Sequence, residues 1–173
     1  ARSDRQVRLL AVAVGLCDLG LAMIVFSIFN KGENADRFQL IDRIDWISTE
    51  TFSASYLLSV DGLSAPLVLL TGLLGFCALL ASFHIQDRVK EYFVWLLILQ
   101  TAVMGVFTSL DLLLFFLFWE LELIPMYMLI SVWGSGRREY SAMKFLIFTI
   151  FGSAAMLIAL VGVFLSGDRN TFD

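Results

Sequence analysis

Two carboxylates, Glu120 and Glu122, sit inside an otherwise apolar run, FFLFWELELIPMY, from Phe115 to Tyr127. Carboxylates in such a setting hold protons, pair with cations or tie helices together by hydrogen bonds. Residues i and i+2 of a helix point about 200° apart, so the two acids serve different neighbours and do not form a catalytic dyad. Glu120 shares its face with Phe116, Leu117, Leu123, Ile124 and Tyr127, and Glu122 shares its own with Phe118, Met126 and Leu129. Pro125 brings no N–H to the carbonyl of Leu121, so a kink and a free acceptor are expected between the two acids. A buried carboxyl beside a free carbonyl is a place to hold water, and burial favours the neutral form of a carboxyl. Those are the requirements of a proton-relay station. The alternative is that the acids only lock helices together, and the residues alone do not rank the pair.

The cost of the two acids shows that they matter. Thirteen Leu, Ile, Phe and Val residues between Leu112 and Trp133 favour insertion by about 0.5 kcal/mol each, whereas each central charge costs about 2.5–3.5 kcal/mol. Two anions facing lipid would nearly cancel the gain, so both groups must face protein or water, or carry protons.

Other polar groups give weaker signals. Asp18, in LCDLG, lies near the middle of the first apolar run, where relay membership and a structural role are both open. Lys144 opens the last apolar run; it either snorkels to the interface or leads protons in from that side. His84, the only histidine, sits in SFHIQD and reads as interfacial, and Asp111 reads as a helix cap. Cys17 and Cys77 have no second thiol or histidine at ligand spacing and read as packing residues. Glycine-rich nucleotide loops, metal-ligand clusters and nucleophile triads are absent from the sequence.

The elements that must position these groups follow from hydropathy. With 59% hydrophobic and 16% charged residues among 173, and a mean hydropathy of +0.83, the chain reads as a polytopic, all-α membrane protein. A formal charge of −4 removes the basic field that nucleic-acid binding needs. About 20 apolar residues cross a bilayer as a helix, and five segments fit: 9–29, 63–83, 92–110, 112–133 and 145–165. The third carries Gln100 at its centre, and its short TSLD link makes the third and fourth helices antiparallel neighbours. The chain opens on Ala1, with no small-residue cleavage site after its first run, which suggests a true span of an interior fragment rather than a signal peptide.

Lys and Arg set the orientation. Arg2, Arg5, Arg8, Arg88, Lys90, Arg137, Arg138 and Lys144 fall on one side, against Lys31, Arg37, Arg43 and Arg169 on the other. Eight against four puts the N-terminus in the cytoplasm or its equivalent and Asp173 on the far side. In the far-side loop, 30–60, FQLIDRIDWI and SASYLLSV suit a small extramembrane hairpin, with an irregular loop and surface helix as the alternative. In DGLSAP, Asp61 is placed to cap the second span, with Pro66 in its early turns.

LSVDGLSAPLVLLTGLL, DLLLFFLFWELELIPMYMLISVWG and REYSAMKFLIFT resemble stretches of the subunit-4 family of the proton-pumping NADH:quinone oxidoreductases, complex I. WELELIP and the closing DRNTFD are especially similar to its photosynthetic branch, cyanobacterial and plastid. The likeness covers Tyr56 to Asp173 as an ordered set of motifs. Before Tyr56 it is a matching pattern of one span and a polar loop. It implies an antiporter-like fold of inverted repeats with about fourteen helices, of which this chain resembles helices two to six. It also implies that Glu120 is the essential membrane glutamate, that Lys144 belongs to the proton-input path, and that Glu122 stands where many relatives are neutral. The lysine partner of the glutamate would come from a broken seventh helix after Asp173, so the five helices alone are not expected to pump.

The expected function is therefore proton translocation in the membrane arm of a respiratory or photosynthetic quinone oxidoreductase, as a non-redox subunit. No cofactor is expected in this chain. NADH, or NAD(P)H or ferredoxin, the iron–sulfur clusters and quinone would belong to partner subunits, and the neighbours would be other antiporter-like subunits and lipid. A bacterial plasma membrane or a thylakoid membrane would house it, with the N-terminus cytoplasmic or stromal. The competing readings are a subunit of a multi-subunit cation/proton antiporter and a structural scaffold whose buried acids only hold helices together.

Overall fold

In the absence of water, a backbone satisfies its polar groups within its own helix, and the apolar runs of this chain do so. The computed structural model describes residues 4–29, 38–49 and 52–166. Helix α1 (Asp4–Ile28) leads to a β-hairpin, β1 (Gln39–Thr49) and β2 (Phe52–Val60). Helix α2 (Ser64–Ala81) ends in a 3-10 turn (Ser82–His84), followed by α3 (Val89–Thr108), α4 (Leu112–Trp133) and α5 (Arg138–Ser166). Among the described residues five helices are long and apolar enough to cross a membrane, and the chain is an integral membrane helix bundle. Helices α1 and α5 start earlier than the hydropathy boundaries, at Asp4 and Arg138. Their first turns are polar, and a helix does not stop where the hydrocarbon does. Arg2, Lys31, Arg37, Arg169, residues 50–51 and the closing DRNTFD lie outside the described residues.

Packing is inside-out relative to a water-soluble bundle. The buried residues at the seams are mostly small, among them Ala11, Ala22, Ala65, Ala102, Ala142 and Ser153, while Phe148, Phe151 and Ile158 of α5 face outward. This is how membrane helices associate, since close backbone approach is the gain when lipid is as apolar as leucine. A Cβ on Gly105 would overlap the Phe118 ring, so the absent side chain lets α3 and α4 meet. A Cβ on Gly72 would sit 3.1 Å from that of Ala22, at the α1–α2 seam. Gly105→Ala is expected to cost about 1–3 kcal/mol by overpacking, measurable as a lowered thermal midpoint in detergent. Cys17 and Cys77 are free and exposed on outward faces rather than packed, a correction to their reading as packing residues.

Helices α1, α2 and α3 pack mutually, α4 adds to α3, and α5 adds to α4. Two hydrogen bonds define one end of the bundle. Arg8 Nη2 donates to the Ile85 carbonyl at 2.7 Å, and Trp133 Nε1 to that of Asp87 at 2.8 Å. The start of α1, the α2–α3 link and the end of α4 therefore share a level, with Arg88 at the end of that link and Lys90 in the first turn of α3.

The hairpin forms the opposite end. Its strands are antiparallel, from Thr49 opposite Phe52 to Gln39 opposite Val60, with an irregular register between Gln39 and Asp42 where Leu40 takes φ 58. It docks on the α3–α4 corner, where Leu110 N–H donates to the Leu57 carbonyl at 3.0 Å and Leu58 bridges Ser109. Asp61 Oδ1 accepts the amides of Leu63 (3.0 Å) and Ser64 (2.6 Å), so it caps α2 as its position suggested.

Candidate functional site

Helix α4 is fixed at its start by Asp111, which is wholly buried. Oδ1 accepts from the amides of Leu113 (2.8 Å) and Leu114 (3.0 Å), while Oδ2 accepts from Ser55 N–H of β2 at 3.1 Å. The expected cap is thus also the anchor of the hairpin, a second role that needed the fold to appear. Further along, Phe118 lies on Gly105 of α3, which fixes the rotation of α4 about its axis. The helix runs unbroken through Pro125, whose ring is buried.

From that rotation the two acids separate. Glu122 lies about 40° around the helix from Phe118, on the side of α3, whereas Glu120 lies about 200° away, on the side turned from it. Both are half-buried. Glu120 Oε1 is buried and has no hydrogen-bond partner among the described residues, whereas Glu122 has no such atom. An unmet acceptor in an apolar seam is costly, and cations, protons or water are what relieve it.

Lys144, on α5, is exposed, with Nζ 5.9 Å from the centre of the Phe148 ring. Among the described residues it makes no ion pair with Glu120 or Glu122; Arg88 pairs with Glu91 at 3.6 Å, at the basic end. His84 lies in the turn after α2 and bonds the Ala81 carbonyl through Nδ1 at 2.7 Å. No group of three His, Cys, Asp or Glu side chains that would hold a metal ion occurs among the described residues.

A second polar point lies within the bundle. Gln100 Nε2 donates to Asp18 Oδ2, joining α3 to α1. The carboxamide crosses α2 at Gly75, where any Cβ would overlap it. In the sequence these residues appear as separate interruptions of apolar runs; their mid-span positions, at one depth, are the signal that they could meet.

The five apolar helices among the described residues, the small-residue seams and the acid-bearing, Pro-containing α4 define a transmembrane helical domain. Residues 109–173, which hold Glu120, Glu122 and Lys144, match the family described as "NADH:quinone oxidoreductase/Mrp antiporter, TM". Over 172 residues the chain is 40% identical to NAD(P)H-quinone oxidoreductase chain 4-2 of Synechocystis sp., covering 99% of this chain and 30% of that protein. It is 41% identical to the chloroplastic chain 4 of Mesostigma viride, over 99% of this chain and 33% of that one. The chain thus spans about a third of the length of the curated relatives it matches. Its fold is similar to a chain of respiratory complex I from Thermus thermophilus, with TM-score 0.80 and 25% identity over 95% of this chain and 33% of that one. The fold is also similar to a chain of the archaeal membrane-bound sulfane sulfur reductase, with TM-score 0.68 and 17% identity over 96% of this chain and 28% of that one.

Proposed function

We propose that this chain is part of a proton-translocating membrane-arm subunit of a quinone oxidoreductase driven by NAD(P)H or ferredoxin, and that Glu120 is the group that takes up and releases the proton. The observation that carries the reading is the buried, unpartnered Oε1 of Glu120 within the family-matched segment. A carboxyl so placed responds strongly to a nearby charge, because the low-dielectric seam screens little. A cation brought close favours the anion and expels the proton; its withdrawal favours proton uptake. The resemblance to the complex I subunits supplies that cation as a lysine of a following broken helix. Lys144 serves proton entry, and Glu122, on the α3 side, tunes the packing of α4.

The reading extends to the surroundings. The basic end, with Arg5, Arg8, Arg88, Lys90, Arg137 and Arg138, faces the cytoplasm or stroma, and the hairpin faces the opposite compartment. The relatives named chain 4 favour a thylakoid or cyanobacterial membrane. Nicotinamide or ferredoxin oxidation, the iron–sulfur clusters and quinone lie in partner subunits, and other antiporter-like subunits adjoin this one. The family description also names Mrp antiporters, which keeps a cation/proton antiporter as the second reading. Sodium-dependent transport without coupling to quinone reduction would select that reading.

The test is proton uptake by inverted membrane vesicles containing the whole complex with Glu120→Ala. Loss of proton translocation and of the coupled quinone reduction, with the complex still assembled, is expected. Unchanged pumping would overturn the assignment and leave the scaffold reading.

A further inference from the structure

The Asp18–Gln100 contact makes a second polar point in the bundle, apart from α4. Asp18 lies near the middle of α1, and Gln100 near the middle of α3 with only 8% of its surface exposed. Three helices build the point. Asp18 of α1 accepts from Gln100 Nε2 of α3, and Gly75 of α2 leaves room for the carboxamide to pass. Gln100 Oε1 is buried and has no partner among the described residues.

No cation compensates the carboxyl. Besides the exposed Cys17 and Cys77, the charged and titratable groups of the three helices and the turn after α2 are Asp4, Arg5, Arg8, His84, Lys90, Glu91 and Tyr92, all toward the basic end. Ten residues of helix, about 15 Å, separate Arg8 from Asp18. Among the described residues none of these groups forms an ion pair with Asp18.

A carboxamide differs from other partners in having a donor and an acceptor that exchange places by a half-turn. We infer that Asp18, held by Gln100 across Gly75, is a second proton-exchanging site of this membrane domain, with the Gln100 carboxamide as its reversible hydrogen-bond partner. In the anionic state Nε2–H donates to the carboxylate. When a hydronium ion delivers a proton, one of its O–H bonds breaks as an O–H bond forms at a carboxyl oxygen of Asp18, leaving water and a neutral carboxyl. The carboxamide then turns so that Oε1 accepts that O–H. Loss of the proton to water reverses both changes, and no electron moves. The site does not rest on the role given to Glu120.

The experiment is infrared difference spectroscopy of the intact complex in membranes, between high and low pH, in H₂O and D₂O. A protonated-carboxyl C=O band that shifts in D₂O and disappears in Asp18→Asn is expected, together with a carboxamide change lost in Gln100→Leu. A spectrum identical between wild type and Asp18→Asn would overturn the inference. If Asp18→Asn fails to assemble, Gln100→Leu and Gly75→Ala decide it, because both retain the carboxyl while removing or displacing its partner. Each should shift the Asp18 band, and an unshifted band in both overturns the inference. Persistence of the band in Glu120→Ala vesicles that no longer pump would separate the two sites.

Discussion

Asp111→Ala is expected to destabilise the fold by at least about 3 kcal/mol, because it strips the acceptor from three backbone amides at once, each stranded donor costing about 1–3 kcal/mol. Those amides belong to Leu113 and Leu114 at the start of α4 and to Ser55 of β2, and the carboxylate serving them is wholly buried. Water cannot replace it without opening the α3–α4 corner. Asp111→Asn separates the two roles. Its Oδ1 still accepts from α4, but its Nδ2 confronts the Ser55 N–H, donor against donor. The Asn variant should keep the cap and loosen the hairpin, at a cost of about 1–3 kcal/mol for one unmet buried donor. Denaturation of the chain in detergent gives the two costs. Amide hydrogen exchange should speed up at Ser55 and Leu110 in both variants, but at Leu113 and Leu114 only in the Ala variant. Equal protection of Ser55 in wild type and Asn would mean that Asp111 does not hold the hairpin.

That carboxylate also marks the boundary of what the sequence makes legible. Its capping role is local, readable from an acid just before the apolar run LLLFFLF, since a cap bonds amides two and three residues away. Its bond to Ser55 joins residues 56 apart in sequence and has no local signature. The same division runs through the fold. The helices are legible because the bilayer demands long apolar runs, and the hairpin because two β-prone pieces flank a polar turn. Which seams form is not, because glycine reads alike at an exposed position and beneath a phenylalanine ring. Gly105 is decided by Phe118, and Gly75 by Gln100. For the candidate site, Glu120 and Glu122 stood out by cost alone. Their separation into an α3 side and an opposite side required the rotation of α4 set by the Phe118–Gly105 contact.

Glu120→Gln in the whole complex should lower proton translocation more than about tenfold, equivalent to at least about 1.4 kcal/mol of added barrier, while leaving the complex assembled. Glutamine matches glutamate in size and keeps an acceptor, so it preserves what packing requires and removes only the exchange of a proton. Glu120→Asp supplies the complementary test, since it retains the ionisable group but withdraws it by one methylene. Partial translocation in Asp with near-complete loss in Gln is the pattern of a proton carrier; equal loss in both would indicate that size and position alone are needed. Glu122→Gln should have the smaller effect, because among the described residues Glu120 has a buried acceptor without a partner and Glu122 has none. An equal or larger loss at Glu122 would reverse the ranking and place the proton path along the α3–α4 seam. Measuring quinone reduction beside proton uptake in the same vesicles resolves the remaining choice. A variant that stops both has blocked a coupled step, and one that continues to reduce quinone without moving protons has opened the coupling itself.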